Sequence, residues 1–264
     1  MSQVSENHWL SWHQAYDDPG SALSHRLAAV QQQIRAALDA APAGPLRAIS
    51  MCAGQGRDLI GVLATHPRRG DVTARLVELD PRLAAAARTS AQAAGLPQVE
   101  VVTGDAALTD NYAGMVPADL VLVCGVFGNI TDKDIERTVD HCTQLCAQAG
   151  TVIWTRGRWP PDLVPQICEW FSARGFEPVW ISDPATGWAV VAHRLAVPPA
   201  PLEPAARMFT FIAGHPSKGP HQDSSLPRHP GTAPIRYSSL KNHLSRTGRG
   251  TPPAPPPSCP AVPR

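Results

Sequence analysis

No apolar run in this chain approaches the ~18–20 residues that a bilayer-spanning helix needs, so no transmembrane segment is expected. The first residues, MSQVSENHWLSW, lack a basic start followed by an apolar stretch, and no secretory signal is expected either. Cysteine is sparse and scattered, at positions 52, 124, 142, 146, 168 and 259. Only Cys142 and Cys146 fall close together, i,i+4 on a predicted helix, and no second pair accompanies them to complete a metal site. These features together predict a reduced, cytoplasmic protein that holds no metal and touches no membrane. The net charge is +1 over 264 residues, which by itself points to no partner.

That near-neutrality is uneven along the chain. Residues 1–197 carry 15 Lys+Arg against 20 Asp+Glu, whereas residues 198–264 carry 8 against 2. The second stretch also holds 16 of the 28 prolines and closes on TPPAPPPSCPAVPR. Such a segment buries too little apolar surface to offset its ordering entropy. Residues 198–264 are therefore read as a Pro-rich basic tail, largely disordered beyond about His215, with AARMFTFIAG (205–214) apolar enough to dock on what precedes it. Its positive charge is diluted by proline and interleaved with few aromatics, so a nucleic-acid partner is disfavoured.

Before the tail, strand-like and helix-like patterns alternate. Residues 21–41 place Leu23, Leu27, Val30, Ile34 and Leu38 on one helical face, with Ser21 as N-cap. LRAISMC, VTARLVEL, QVEVVTG, ADLVLVC and TVIWT then read as strands. Between them lie GRDLIGVLATH, the Ala-rich helix that begins at Pro81, and DKDIERTVDHCTQLCAQ, a predicted helix ended by Gly150. After the helical PDLVPQICEWFSAR come FEPVWISD and GWAVVAHRL, whose short PAT connection predicts an antiparallel hairpin. The alternation implies right-handed crossovers and an α/β fold, a doubly wound and mainly parallel sheet with an antiparallel terminal hairpin. It divides the chain into an N-terminal helical cap or lid, residues 1–44, the sheet domain, residues 45–197, and the tail. Ligands of such sheets bind beyond the carboxyl ends of the strands.

The carboxyl end of the first strand carries CAGQGRD. Gly54 and Gly56 allow a sharp turn and close approach to a ligand. Leu59 stands where a dinucleotide fingerprint has its third glycine, and no GK[ST] follows, so neither a pyrophosphate nor a triphosphate is well provided for. Glu78 ends the second strand, where a carboxylate can accept both hydroxyls of a ribose. Asp80, just before Pro81, reads as the N-cap of the next helix. Asp105 follows the third strand, where it can accept from an exocyclic amine while Ala106 offers a backbone N–H.

ISMCAGQG, VELD, TGDA and ADLVLVCGVFGNI together resemble four successive motifs of the class I S-adenosylmethionine-dependent methyltransferases, over roughly Leu46–Leu195. The resemblance implies a Rossmann-like seven-stranded sheet with an antiparallel last strand. It implies S-adenosyl-L-methionine as cofactor, held by Cys52, Ala53, Gly54, Gly56, Glu78, Leu79, Gly104, Asp105, Ala106, Cys124 and Gly125. The activity implied is methyl transfer to a small-molecule acceptor. The sequence departs from the family at Ser50, where an acid is usual, and at Cys52, where a glycine is usual. A non-catalytic S-adenosylmethionine-binding protein thus stays open. So does an NAD(P)-dependent oxidoreductase, which shares the strand–loop–helix and the ribose acid but not the third glycine.

CGVFGNI lacks the paired prolines that hold an amine in enzymes acting on DNA bases or glutamine, which disfavours such acceptors. Phe127 and Asn129, after the fourth strand, are candidates to line the cavity, and Arg156 and Arg158, after the fifth, to clamp a carboxylate or phosphate. The N-terminal HWLSWHQAY is a candidate cover, with Tyr16 near the cofactor and His13 as base; with Asn129 these are the candidate catalytic residues. Methyl transfer needs a base only when the acceptor must lose a proton, so no fixed triad is expected.

Overall fold

The computed structural model describes residues 15–212 of the chain, which leaves His13 and the residues from 213 onward outside the described residues. Seven strands run β1 Leu46–Met51, β2 Val72–Glu78, β3 Val99–Thr103, β4 Ala118–Val123, β5 Cys146–Gly157, β6 Phe176–Ile181 and β7 Trp188–Leu195. The helices are α1 Ala22–Ala40, α2 Leu59–Leu63, α3 Pro81–Ala93, α4 Asp132–Leu145 and α5 Val164–Ala173. The sheet order is β3-β2-β1-β4-β5-β7-β6, and β7 alone runs antiparallel to its neighbours. Strand order therefore reverses between β1 and β4, where a crevice opens beyond the carboxyl ends.

β1, β2 and β4 are buried almost throughout, as strands covered on both faces must be. One face packs against the apolar sides of α1, α2 and α3, through residues such as Val30, Ile34, Leu59 and Ala87. The other packs against α4 and α5, through Ile135, Val139, Ile167 and Phe171. The α1 stripe is as its spacing requires, and Ser21 caps it by accepting from Ser24 N–H at 3.0 Å. Arg68 holds the other end of α1 in place, donating to Leu38 and Ala41 carbonyls at 2.8 Å and to Pro42 and Gly44 carbonyls at 2.8 and 3.1 Å.

The structure corrects one boundary. The predicted helix through Gln148 stops at Leu145, because Cys146 already pairs with Ala118 and opens β5. The lead-in is irregular: Ala149 adopts φ +66°, and a Cβ on Gly150 would come within 3.0 Å of the Ala147 and Ala118 carbonyls. The apolar stretch that begins at Ala205 docks on the domain, as its composition leads one to expect. Residues 205–212 run back across the carboxyl-end loops, where Met208 and Phe209 are buried. Their place follows from the β3–β4 connection, which crosses the sheet with only a short 3-10 turn at Thr109–Tyr112 where other crossovers carry a helix. Met208 N–H donates to Ala107 O at 2.8 Å and Arg137 Nε donates to Met208 O at 2.8 Å, which seats this strap between the connection and α4.

Candidate functional site

Beyond β1 the backbone takes three left-handed steps in five residues, at Cys52 (φ +50°), Gly54 (+56°) and Gly56 (+68°). Gly56 has a second reason to lack a side chain, since a Cβ there would lie 2.6 Å from Ile60 Cδ1 and 2.8 Å from Leu76 Cδ2. Cys52 takes the same backbone region with a side chain, at a cost of roughly 1–2 kcal/mol. The resemblance implies a glycine at this position, and the positive φ is a conformation that glycine takes without that cost. The loop then closes on α2, whose first turn is capped by Asp58, accepting from Leu59 N–H at 2.7 Å.

The carboxylates predicted at the strand ends converge on this loop. Glu78 is nearly buried and bridges two loops, with Oε2 accepting from Gly54 N–H at 2.7 Å and Oε1 from Asp80 N–H at 2.9 Å. Asp80 caps α3 through Arg82 N–H at 2.8 Å, as its position before Pro81 requires. Leu79, between the two acids, is 62% exposed, an apolar side chain left uncovered at the carboxyl end of β2. One strand further on, Gly104 N–H donates to Glu78 O at 2.9 Å, and Asp105 follows. Its Oδ1 accepts from Ala107 N–H at 2.9 Å, and its Oδ2 lies 2.8 Å from Arg207 Nη2. Ala106 is buried, its carbonyl taken by the Tyr112 hydroxyl at 2.8 Å.

Across the switch point, Cys124 and Gly125 (φ +76°) follow β4, and Gly125 N–H donates to Thr155 Oγ1 at 2.9 Å. Asn129 closes the following loop, its Nδ2 donating to Gly125 O at 2.8 Å. Phe127 lies in the core rather than on a cavity wall, with its ring 5.5 Å from Trp154 and 6.5 Å from Phe171. Arg156 belongs to β5 itself and donates to the Phe127 carbonyl, so its guanidinium braces the β4 loop. Arg158 is held by Asp162 at 2.6 Å. Trp159, not singled out from the sequence, lies over Gly157 and touches the Gly128 position, with part of its ring exposed.

Tyr16 lies against the glycine loop. Arg57 stacks over its ring at 5.7 Å and pairs with Asp17 at 2.6 Å, clasping this turn to the glycine loop. The Tyr16 hydroxyl hydrogen-bonds Arg26, and it lies near enough to Asp58 to feel that charge. Burial raises the Tyr16 pKa, which keeps the phenol protonated as a donor rather than a base. Burial also pushes the Cys52 and Cys124 thiols up, so neither is a thiolate nucleophile near neutral pH. Asp58 is raised by burial too, against the pull of backbone N–H groups. Arg26 and Asp58 escaped the sequence reading, although Arg26 sits three residues after Leu23 and four before Val30, on the buried face of α1.

No family model matches the chain, and no curated protein does. Solved structures do resemble it. A 1,6-didemethyltoxoflavin-N1-methyltransferase from Burkholderia thailandensis, with bound 1,6-didemethyltoxoflavin and S-adenosylhomocysteine, superposes with a TM-score of 0.52 at 16% identity, covering 75% of this chain and 92% of its own. A TehB-like SAM-dependent methyltransferase from Corynebacterium glutamicum gives 0.50 at 18% identity, covering 73% and 98%. An O-methyltransferase family protein from Burkholderia thailandensis gives 0.50 at 16%, covering 72% and 69%. At these identities the likeness is one of fold: the chain has the Rossmann-like architecture of these methyltransferases. Among the described residues, no helix is long and apolar enough to cross a membrane.

Proposed function

We propose that this protein is an S-adenosylmethionine-dependent methyltransferase acting on a small-molecule acceptor. The observation that carries the proposal is the Glu78 carboxylate, held at the end of β2 by Gly54 N–H at 2.7 Å, with Asp105 on the next strand and exposed Leu79 beside it. A nucleoside meets its needs there: acceptors for ribose hydroxyls at Glu78, an apolar face for the base at Leu79, and an acceptor for the exocyclic amine at Asp105. The names of the structural neighbours support the same chemistry.

The residues also fit the amino-acid end of such a cofactor, even without an acid at Ser50. The Tyr16 hydroxyl and the Cys124 thiol each lie within electrostatic reach of Asp58 and of Arg26, an acid and a cation. That pairing suits a zwitterion, with the ammonium toward Asp58 and the carboxylate toward Arg26. The buried Asp58 takes over the role that Ser50 cannot fill. Bound S-adenosylmethionine would supply an electrophilic methyl on a sulfonium sulfur. The protein's part is then alignment and exclusion of water. Tyr16 donates a hydrogen bond at the switch point, Asn129 fixes the β4 loop, and Trp159 offers a flat apolar surface to an acceptor.

The test is calorimetric titration of the full chain with S-adenosylmethionine and, separately, NADH, using wild type, Glu78→Ala, Glu78→Gln and Asp58→Asn. Micromolar S-adenosylmethionine binding is expected, weakened at least tenfold by Glu78→Ala and Asp58→Asn, in proteins whose melting shows them folded. Preference for NADH, or indifference to Glu78, would overturn the proposal. Tight binding with no turnover across an acceptor screen would favour the non-catalytic binder, which Ser50 and Cys52 keep in view.

A further inference from the structure

Arg207 sits on a strap that has no need of its side chain. Backbone groups on both sides of it are anchored: Ala205 N–H donates to Asp110 Oδ1 at 2.8 Å, Ala206 N–H to Thr109 Oγ1 at 3.0 Å, and Met208 N–H to Ala107 O at 2.8 Å. Thr109 N–H in turn donates to Ala206 O at 3.0 Å, and Leu108 and Arg207 form an antiparallel bridge. Met208 and Phe209 point into the core, while Arg207 turns the other way, with its side chain 47% exposed. Its guanidinium reaches the outer oxygen of Asp105 at 2.8 Å. Both Asp105 oxygens are thereby engaged, the inner one by a bond within its own loop, the outer one by a residue 102 positions away.

We infer that Arg207 is a gate on the base end of the cofactor site, holding the Asp105 oxygen that must accept the exocyclic amine and swinging off when the base enters. The inference rests on the assignment of Asp105 to the base under Proposed function. The strap stays docked throughout, because its anchors are main-chain bonds and buried side chains, and only the guanidinium moves. Guanidinium and amine compete for one oxygen, so the gate weakens cofactor binding. An exposed ion pair of this kind changes affinity by about two- to fivefold. Salt screens the pair, which gives binding an inverted salt dependence.

S-adenosylhomocysteine is the suitable probe, since it carries no net charge near neutral pH and its own attraction to the protein changes little with salt. It is titrated into the full chain as wild type, Arg207→Lys, Arg207→Gln and Glu78→Ala, at about 20 and 300 mM NaCl, on either side of the range where screening sets in. Wild type and Arg207→Lys are expected to bind more tightly at the higher salt. Arg207→Gln is expected to bind about two- to fivefold more tightly than wild type at low salt and to lose the salt dependence. Binding by Arg207→Gln equal to or weaker than wild type overturns the gate while leaving Glu78-dependent binding in place. Binding absent from every protein, or untouched by Glu78→Ala, overturns the cofactor assignment and the gate with it.

Discussion

Replacing Phe209 by alanine removes a ring that is 1% exposed and packs edge-on against Phe211, with centroids 5.5 Å apart. The ring and its neighbour Met208 fill the space that a crossover helix between β3 and β4 would otherwise occupy. Truncating a buried Phe costs about 3–5 kcal/mol, and a buried Met about 2–5 kcal/mol. A domain of this kind has a total stability of about 5–15 kcal/mol, so either loss is a large share. At about 2–4 °C per kcal/mol for 150–250 residues, Phe209→Ala should lower Tm by about 6–20 °C. Differential scanning calorimetry on the full chain measures it. A paired comparison uses chains stopped after Val197 and after Ile212: the second keeps every strap contact described above, and the first keeps none. A Phe209→Ala shift under about 2 °C, or equal melting of the two shortened chains, would refute the claim that the strap belongs to the core.

Gly56→Ala should abolish cofactor binding and cost at least 1–2 kcal/mol by order of magnitude, because φ is +68° and the new methyl meets Ile60 and Leu76; urea unfolding reads the cost. His193 is buried, with its pKa lowered to about 3 by desolvation, so the unfolded chain binds its proton first as pH falls. Stability is therefore full above about 6.5 and declines below it, by about 1.4 kcal/mol per pH unit. His193→Gln, which keeps an acceptor for Trp154 Nε1, should flatten that acid slope, and an unchanged slope would count against it. At the alkaline end the sign reverses. Burial raises the Cys52, Cys124, Cys142, Cys146 and Cys168 thiols, so the folded chain keeps protons that the unfolded chain releases above about pH 8.5. Urea midpoints should fall between pH 8 and 10, and a flat profile would refute this.

Local chemistry carried most of what could be read in advance. Asp80 caps α3 because an acid before Pro81 has few other uses, and Gly56 turns the chain because only glycine fits both its φ and its space. Glu78 and Asp105 were legible because strand ends are marked by where apolar runs stop. What escaped depends on partners distant in sequence. Phe127 looks like a loop aromatic until β5 and α5 bring Trp154 and Phe171 against it. Arg156 looks like a ligand clamp until β5 proves long enough to include it and the Phe127 carbonyl takes its guanidinium. Arg26 was missed, although a charged residue on an apolar helix face was a signal that could have found it. Arg207 had no local signal, since its meaning lies wholly in Asp105.

The strap also sets a timetable for synthesis. Tyr112 and Met115 form part of the apolar face that Met208 and Phe209 complete. At about 5–20 residues per second, the ribosome needs on the order of 5–20 s to travel from one pair to the other. When Tyr112 and Met115 are made only β1, β2 and β3 precede them, and all seven strands are complete before Met208 follows, so the sheet forms while this flank is still uncovered. A holdase that binds nascent chains is expected on that flank most often just before Met208 is translated, which crosslinking to stalled ribosomes would measure.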